Sequence, residues 1–301
     1  MGRRIALECI VNAKAARLYD LSAVAAQQAP VLVRKLLEKR VAEGRSSRVD
    51  AHRAMAMLSI SSTLPECVAA ADLIIEAVPE NVELKRAVFA EIDKYCSDQT
   101  LLISNTSSIP ASWIADVITR PGKFLNANFG TPDHLKVEIM GHPGTDTETF
   151  ESAVDFIKDI GLVPIVIRGE SVGYALNRIW RMVKKEVLSQ IELGHVTAED
   201  VDRGWMLDWG TGIGPCGLMD EVGLDVVRDI EMVYFRASGN VSDRPPSFLI
   251  RMIESGKLGV KSSAGFYNYP NPSYKSPGWL RGGIDIERSC GEEGARVGKE
   301  I

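Results

Sequence analysis

The chain has 301 residues, 45% hydrophobic and 25% charged, with a formal net charge of −5. That length accommodates two domains, and the mildly acidic balance offers no basic stripe for phosphates, so no nucleic acid is expected as a partner. No stretch approaches the roughly 20 apolar residues of a membrane span, so no membrane is expected either. No targeting segment stands out. Five scattered cysteines without a CxxC (Cys9, Cys67, Cys96, Cys216, Cys290) fit reduced thiols in the cytoplasm rather than a disulfide frame. Four histidines lack HxxH or HExxH spacing, so no metal is expected.

Residues 3–12 carry apolar positions at helical spacing (Ile5, Ala6, Cys9, Ile10). Residues 17–20 read as a short strand ending on Asp20. A helical stretch follows to about Gly44, interrupted or restarted at Pro30, because proline suits a first turn and not an interior. Apolar runs at 55–60, 71–78, 100–104, 124–129, 135–140 and 162–167 then alternate with helical segments. Several of these runs are continuous, as in strands buried on both faces of a mainly parallel sheet. Residues 80–95, 110–118 and 147–160 read as crossover helices, which gives the rhythm of a doubly wound, Rossmann-type α/β domain.

The pattern turns helical after Gly169-Glu170-Ser171, with helices predicted at 174–194, from Thr197, near 217–237 and near 246–256. We therefore expect a Rossmann-type α/β domain at 1–170 and a smaller all-helical domain at 171–301. From Ala264 onward glycine, proline and serine accumulate, and the last 20 or so residues are expected to be mobile.

A dinucleotide site needs glycines at the start of a helix, where the backbone can approach a pyrophosphate. It also needs an acid about 20 residues further on for the adenosine ribose. Gly2 opens a helix and Asp20 ends the following strand, which is the back half of that arrangement. The strand and the first glycines of the motif are not in the chain. On these two residues alone, Asp20 could equally cap the next helix.

Several segments strengthen the reading by their order. They are Met1-Gly2, 77–81 with Lys85, 104–108, Val137-Glu138-Ile139, 173–178, Gly214-Pro215 leading into 220–225, and Gly265-Phe266-Tyr267. Together they resemble the 3-hydroxyacyl-CoA dehydrogenase family, in its single-function branch, over about residues 1–275. In that family the first strand runs into G-x-G-x-M-G, whose last letters Met1-Gly2 match. The expectation is that the natural chain begins about 10–15 residues earlier, a strand and its turn. In strand order 3-2-1-4-5-6 the first strand is central, so its absence leaves two edges without ladder partners.

The resemblance implies a histidine base paired with a carboxylate, and a serine and an asparagine that bond the substrate oxygen. The carboxylate falls on Glu138, the serine on Ser107 and the asparagine on Asn177, while the histidine position holds Asn128. A further family asparagine near the nicotinamide falls on Thr131. An amide cannot act as a general base at neutral pH, although it could polarise a ketone by hydrogen bonding. His134, in a stretch that needs a two-residue deletion to align, is a conceivable relocated base or a surface-loop residue.

Cofactor contacts implied by the resemblance fall on Gly2, Asp20, Glu80, Lys85, Ser107 and Lys261. Asp20 favours NAD, since a carboxylate there would repel a 2′-phosphate. Each position has a plainer reading: Ser107 as a helix cap near Pro110, Glu80 and Lys85 as a solvated pair, His142 and His195 as turn and surface residues.

The resemblance thus implies an NAD-linked oxidoreductase of fatty acid metabolism, acting at C3 of a 3-hydroxyacyl-CoA or 3-oxoacyl-CoA or of a related β-oxo acid. The resemblance also implies a homodimer formed through the helical domain. Arg34, Lys35, Lys39 and Arg40 are candidates for the coenzyme A phosphates or simply a solvated face. The rival readings are a gulonate-type hydroxy-acid dehydrogenase of the same fold and a non-redox binding protein.

Overall fold

Alternation along short apolar strands decides which side of the sheet each residue feeds. The computed structural model describes residues 1–130 and 135–282. They divide into two units, Met1–Arg178 and the chain from Ile179 onward. The first unit opens with α1 (Gly2–Val11), β1 (Ala16–Leu18), α2 (Ala23–Ala42), α3 (Arg48–Ala56) and β2 (Leu58–Ile60). It continues with α4 (Leu64–Val68), β3 (Leu73–Glu76), α5 (Val82–Ile92), β4 (Leu101–Ser104) and α6 (Ser112–Ala115). It closes with β5 (Phe124–Asn128), β6 (Lys136–Met140), α7 (Thr147–Asp159) and β7 (Val163–Ile167). α8 (Leu176–Glu192) spans the division in its first turn.

β3 to β7 form one sheet in sequence order, parallel except where β6 runs antiparallel to β5. β1 and β2 form a separate parallel pair. Among the described residues, β1 and β3 each have a ladder partner on one side only.

Helices cover both faces of the five-stranded sheet. Leu101, Ile103, Leu125, Ala127, Val137 and Ile139 point to one side, against Ile5 and Cys9 of α1 and Ala153 and Ile157 of α7. Leu102 and Phe124 point to the other, against Phe89, Ile92 and Ile114. Full burial of each such side chain stabilises the fold by about 1.5–3 kcal/mol. α1 serves a second core as well, since its Leu7 and Ile10 meet Val33, Leu37 and Ala54.

Several predicted elements are corrected. The stretch to Gly44 is one unbroken helix with Pro30 inside it. Proline removes one ladder bond, and the buried row Ala26, Ala29, Val33 and Leu37 carries the helix across. The predicted strand at 55–60 shrinks to its second half, because α3, capped by the Ser47 hydroxyl on the Asp50 amide, runs through Ala56. Residues 110–118 yield only the short α6.

The second unit contains α9 (Ala198–Trp209), α10 (Pro215–Val222), α11 (Leu224–Ser238) and α12 (Ser247–Glu254). The single helix predicted at 217–237 is two, because Gly223 turns the chain at φ 101°. Two buried aspartates join its segments. Asp202 accepts the Cys216 and Gly217 amides at the start of α10 and the Tyr267 hydroxyl. Asp220 accepts the Phe266 and Tyr267 amides and the Tyr269 hydroxyl. The predicted mobile tail lies almost wholly at 283–301, outside the described residues.

Candidate functional site

The sheet register sets a row of polar side chains across one face. Glu76 of β3 pairs with Ser104 of β4, Ser104 with Asn126 of β5, and Asn128 with Glu138 of β6. Side chains two residues apart on a strand share a face, so this row lies on the side of Leu102 and Phe124. Its members are almost inaccessible, with Glu138 and Ser104 fully buried.

Glu76 is the anchor at one end. Its carboxylate accepts the Val78 amide (2.6 Å), the Ser104 hydroxyl (2.7 Å) and both contacts from the Lys85 ammonium (2.9 and 3.1 Å). Lys85 is 0% exposed, so the solvated pair expected for Glu80 and Lys85 is instead a buried cation shared by two acids. In this arrangement the Lys85 ammonium faces Glu76 and the Val78 carbonyl rather than an open surface. Burying an unpaired ammonium would be prohibitive, which is why two carboxylates accompany it.

Glu80 organises the loop after β4. One of its oxygens accepts the Thr106 hydroxyl (2.6 Å), the Ser107 and Ser108 amides (2.9 Å each) and the Ser108 hydroxyl (2.9 Å). Burial opposes ionisation, but the bonds from Thr106 and Ser108, then Lys85 and the Ser107 amide, outweigh it. They hold the carboxyl below its ordinary 4.5. The helix-cap reading of Ser107 gives way to Thr106, whose hydroxyl accepts the Ile109 amide. Ser107 is exposed, with its hydroxyl 3.4 Å from Glu80.

Asn177, exposed in the first turn of α8, donates its amide to the Ser107 carbonyl at 3.1 Å. Glu138 receives the amides of Ala175 (3.3 Å) and Leu176 (3.1 Å) on one oxygen, a charge placed at a helix start as the dipole favours. Its other oxygen lies 3.1 Å from the Lys136 ammonium. Asn128 sits directly across the ladder from Glu138 and accepts the Gly130 amide on its side-chain oxygen at 3.3 Å. The Asn105 side chain accepts the Phe129 amide and so ties the end of β5 to the same loop. Asn128, Glu138, Ser107, Asn177 and Glu80 therefore belong to one connected set. His134 and Thr131 lie outside the described residues.

Among the proposed cofactor contacts, Gly2 opens α1 with no side-chain cap. A β-carbon placed on Gly2 would lie 3.8 Å from that of Ala77, which puts the helix start just past the carboxyl end of β3. Asp20 is exposed beyond β1 and accepts the Ser22 amide at 2.8 Å, while Ser22 itself caps α2. An uncapped helix start for a pyrophosphate and an exposed carboxylate for a ribose fit a dinucleotide. Lys261 belongs to the second unit, where its ammonium meets Asp225 at 2.6 Å. Of the basic run on α2, Arg40 is committed to the buried Glu8 at 2.5 Å, and Lys39 lies 3.6 Å from Glu43.

Sequence reading missed Glu76, Asn105, Arg4 and Lys136. Glu76 and Lys136 had a usable signal: an acid closing an apolar strand run, and a cation two residues before Glu138 and hence on its face. Arg4, buried in α1, donates to the Phe129 and Gly130 carbonyls (3.0 and 2.9 Å), a contact with no local sequence signature.

Comparison with known proteins places this geometry. The family model for the NAD binding domain of 3-hydroxyacyl-CoA dehydrogenase matches residues 1–171, and that for its C-terminal domain matches 173–269. The mitochondrial hydroxyacyl-coenzyme A dehydrogenase of Homo sapiens is 31% identical over 241 residues, 79% of this chain and 76% of that protein. The fatty acid oxidation complex subunit alpha of Shewanella baltica is 31% identical over 279 residues, 92% of this chain and 39% of its own length. The crystal structure of (S)-3-hydroxybutyryl-CoA dehydrogenase from Ralstonia eutropha superposes with a TM-score of 0.83 at 28% identity, covering 90% of this chain and 96% of that one.

Proposed function

The chain belongs to the 3-hydroxyacyl-CoA dehydrogenase family, and from that premise we propose that it interconverts a 3-oxoacyl-CoA and its 3-hydroxy form. It is an NAD-dependent oxidoreductase of the hydroxyacyl-CoA dehydrogenase type. The observation that carries the proposal is the polar set on one sheet face: Asn128 opposite Glu138, with Ser107 and Asn177 joined beside it. NAD, when bound, supplies or accepts the hydride.

The residues of this chain hold the substrate oxygen and handle its proton. The Ser107 hydroxyl and the Asn177 and Asn128 amides are donors suited to a C3 oxygen as negative charge develops there. Glu138, fully buried, fixes the start of α8 and hence the position of Asn177. Glu80 fixes Ser107 through its amide. In this reading Gly2 receives the pyrophosphate and Asp20 the ribose, which the uncapped start of α1 and the exposure of Asp20 support.

The same reading includes a homodimer. Ile179 (61% exposed) and Met182 (54%) form an apolar stripe on α8, and Val226 and Ile230 present another on α11. The two helices are held together by Lys184 and Glu231 (3.2 Å). Apolar surface of this kind calls for a partner. The free thiols Cys9, Cys67, Cys96 and Cys216 support placement in the reducing cytoplasm.

A fluorescence titration with NADH, followed by addition of acetoacetyl-CoA under an absorbance record, tests the reading. Saturable binding and then loss of NADH absorbance is the expected result. Binding without oxidation would overturn the substrate assignment, and no binding would overturn the cofactor placement at Gly2 and Asp20.

A further inference from the structure

The Asn128 amide cannot titrate in the working range, so Glu138 stands opposite a partner that can neither take nor give a proton as an acid–base catalyst must. Lys136 stands on the same face of β6, two residues from Glu138, with its ammonium 3.1 Å from the Glu138 carboxylate. In the antiparallel ladder Asn128 is directly across from Glu138, so Lys136 is the diagonal neighbour of Asn128. Its side chain is 30% exposed, whereas Glu138 is sealed. The pair is a buried acid holding a cation whose side chain is partly exposed.

Among the described residues, the buried Tyr174 is a further titratable group that interacts with Glu138, and its hydroxyl donates to the Thr106 carbonyl. β7 offers Val163 and Ile165 across the ladder from Lys136 and Glu138. The start of α8 offers only backbone amides to Glu138. Arg4 of α1 spends two contacts on the Phe129 and Gly130 carbonyls. Glu138 is thus the acid that positions the Lys136 ammonium.

We propose that Lys136 is the acid–base group at the C3 oxygen, taking the place that Asn128 cannot fill, an assignment that rests on the C3 oxidoreductase reading above. In the reductive direction the hydride adds to C3 and NADH becomes NAD⁺. The π pair of the C3 carbonyl moves to oxygen, and that oxygen takes a proton from the Lys136 ammonium. The neutral amine then recovers a proton from water. In the oxidative direction the steps reverse, and the neutral amine takes the C3 hydroxyl proton as the hydride leaves.

A lysine that merely neutralised Glu138 would be replaceable by arginine, which keeps the charge and is never deprotonated in this range. The test compares wild type, Lys136→Arg and Lys136→Gln for NADH binding and for acetoacetyl-CoA reduction as a function of pH. Unchanged NADH binding with about 10²–10⁴-fold loss of kcat in both variants is expected. The wild-type fall in rate at high pH should also disappear in both. Wild-type turnover in Lys136→Arg would overturn the assignment.

A second measurement does not depend on turnover. The protein is dimethylated with carbon-13 on its lysines, and the Lys136 resonance is identified by its absence in Lys136→Arg. That resonance should move when NADH and acetoacetyl-CoA are added. An unmoved Lys136 signal overturns the assignment, whereas NADH binding without oxidation in wild type overturns the substrate reading alone.

Discussion

Asn128 stands directly across the ladder from Glu138, and its amide cannot exchange a proton as a general base would. The Glu138 carboxylate opposite it accepts the Ala175 and Leu176 amides on one oxygen and the Lys136 ammonium on the other. Replacing Asn128→His would put an imidazole across the ladder from Glu138. We expect about a 10²-fold rise in the rate of 3-hydroxybutyryl-CoA oxidation, read as NADH formation, with little change in NADH affinity. Oxidation should gain more than reduction, since a neutral imidazole can accept the hydroxyl proton at neutral pH whereas an ammonium cannot. An unchanged rate would mean that Glu138 is committed to the α8 amides and cannot orient the ring.

At the scale of elements, the loop between β4 and α6 depends on a single carboxylate. Glu80 gathers Thr106, Ser107 and Ser108 around one oxygen, and its folded value lies below 4.5. A carboxyl lowered on folding contributes stability that is complete above its unfolded value and lost as pH falls through its folded one. Urea denaturation should therefore show wild type losing stability on acidification below about 4.5. Glu80→Gln should be less stable at neutral pH and lose less over that window. Equal pH slopes for the two proteins would remove Glu80 from this role. The elements read least well from sequence have equally local causes. Pro30 is tolerated because neighbouring turns bury four apolar side chains, and the break between α10 and α11 comes from one glycine in a left-handed conformation.

Over the whole molecule, the two units differ in what holds them. The first is organised by strand register, which carries Glu76, Ser104, Asn126 and Asn128 into one row although 52 positions separate the first and last in sequence. The second is organised by buried aspartates that bind distant backbone amides. Its helices α8 and α11 leave apolar stripes outward, and sedimentation should find a dimer at working concentrations. Met182→Glu places a charge in that stripe and should shift the species to monomer, since an unpaired charge is costly to bury. A wild-type monomer would overturn the dimer proposal.

The amino-acid sequence by itself determined the α/β-then-helical order, the positions of most strands within a few residues, the NAD-linked class, and Glu138, Ser107 and Asn177 as positions of interest. The order and the strands follow from periodicity, a property of neighbours along the chain, while the NAD-linked class and the three positions follow from the resemblance to the 3-hydroxyacyl-CoA dehydrogenase family. Tertiary structure alone decided that Lys85 is sealed against Glu76, that Thr106 rather than Ser107 caps the loop, and that Lys136 shares a face with Glu138 opposite Asn128. Those facts depend on sheet register and on burial. Both are set by which strands lie side by side and which helices cover them, a choice made by packing between segments far apart in sequence.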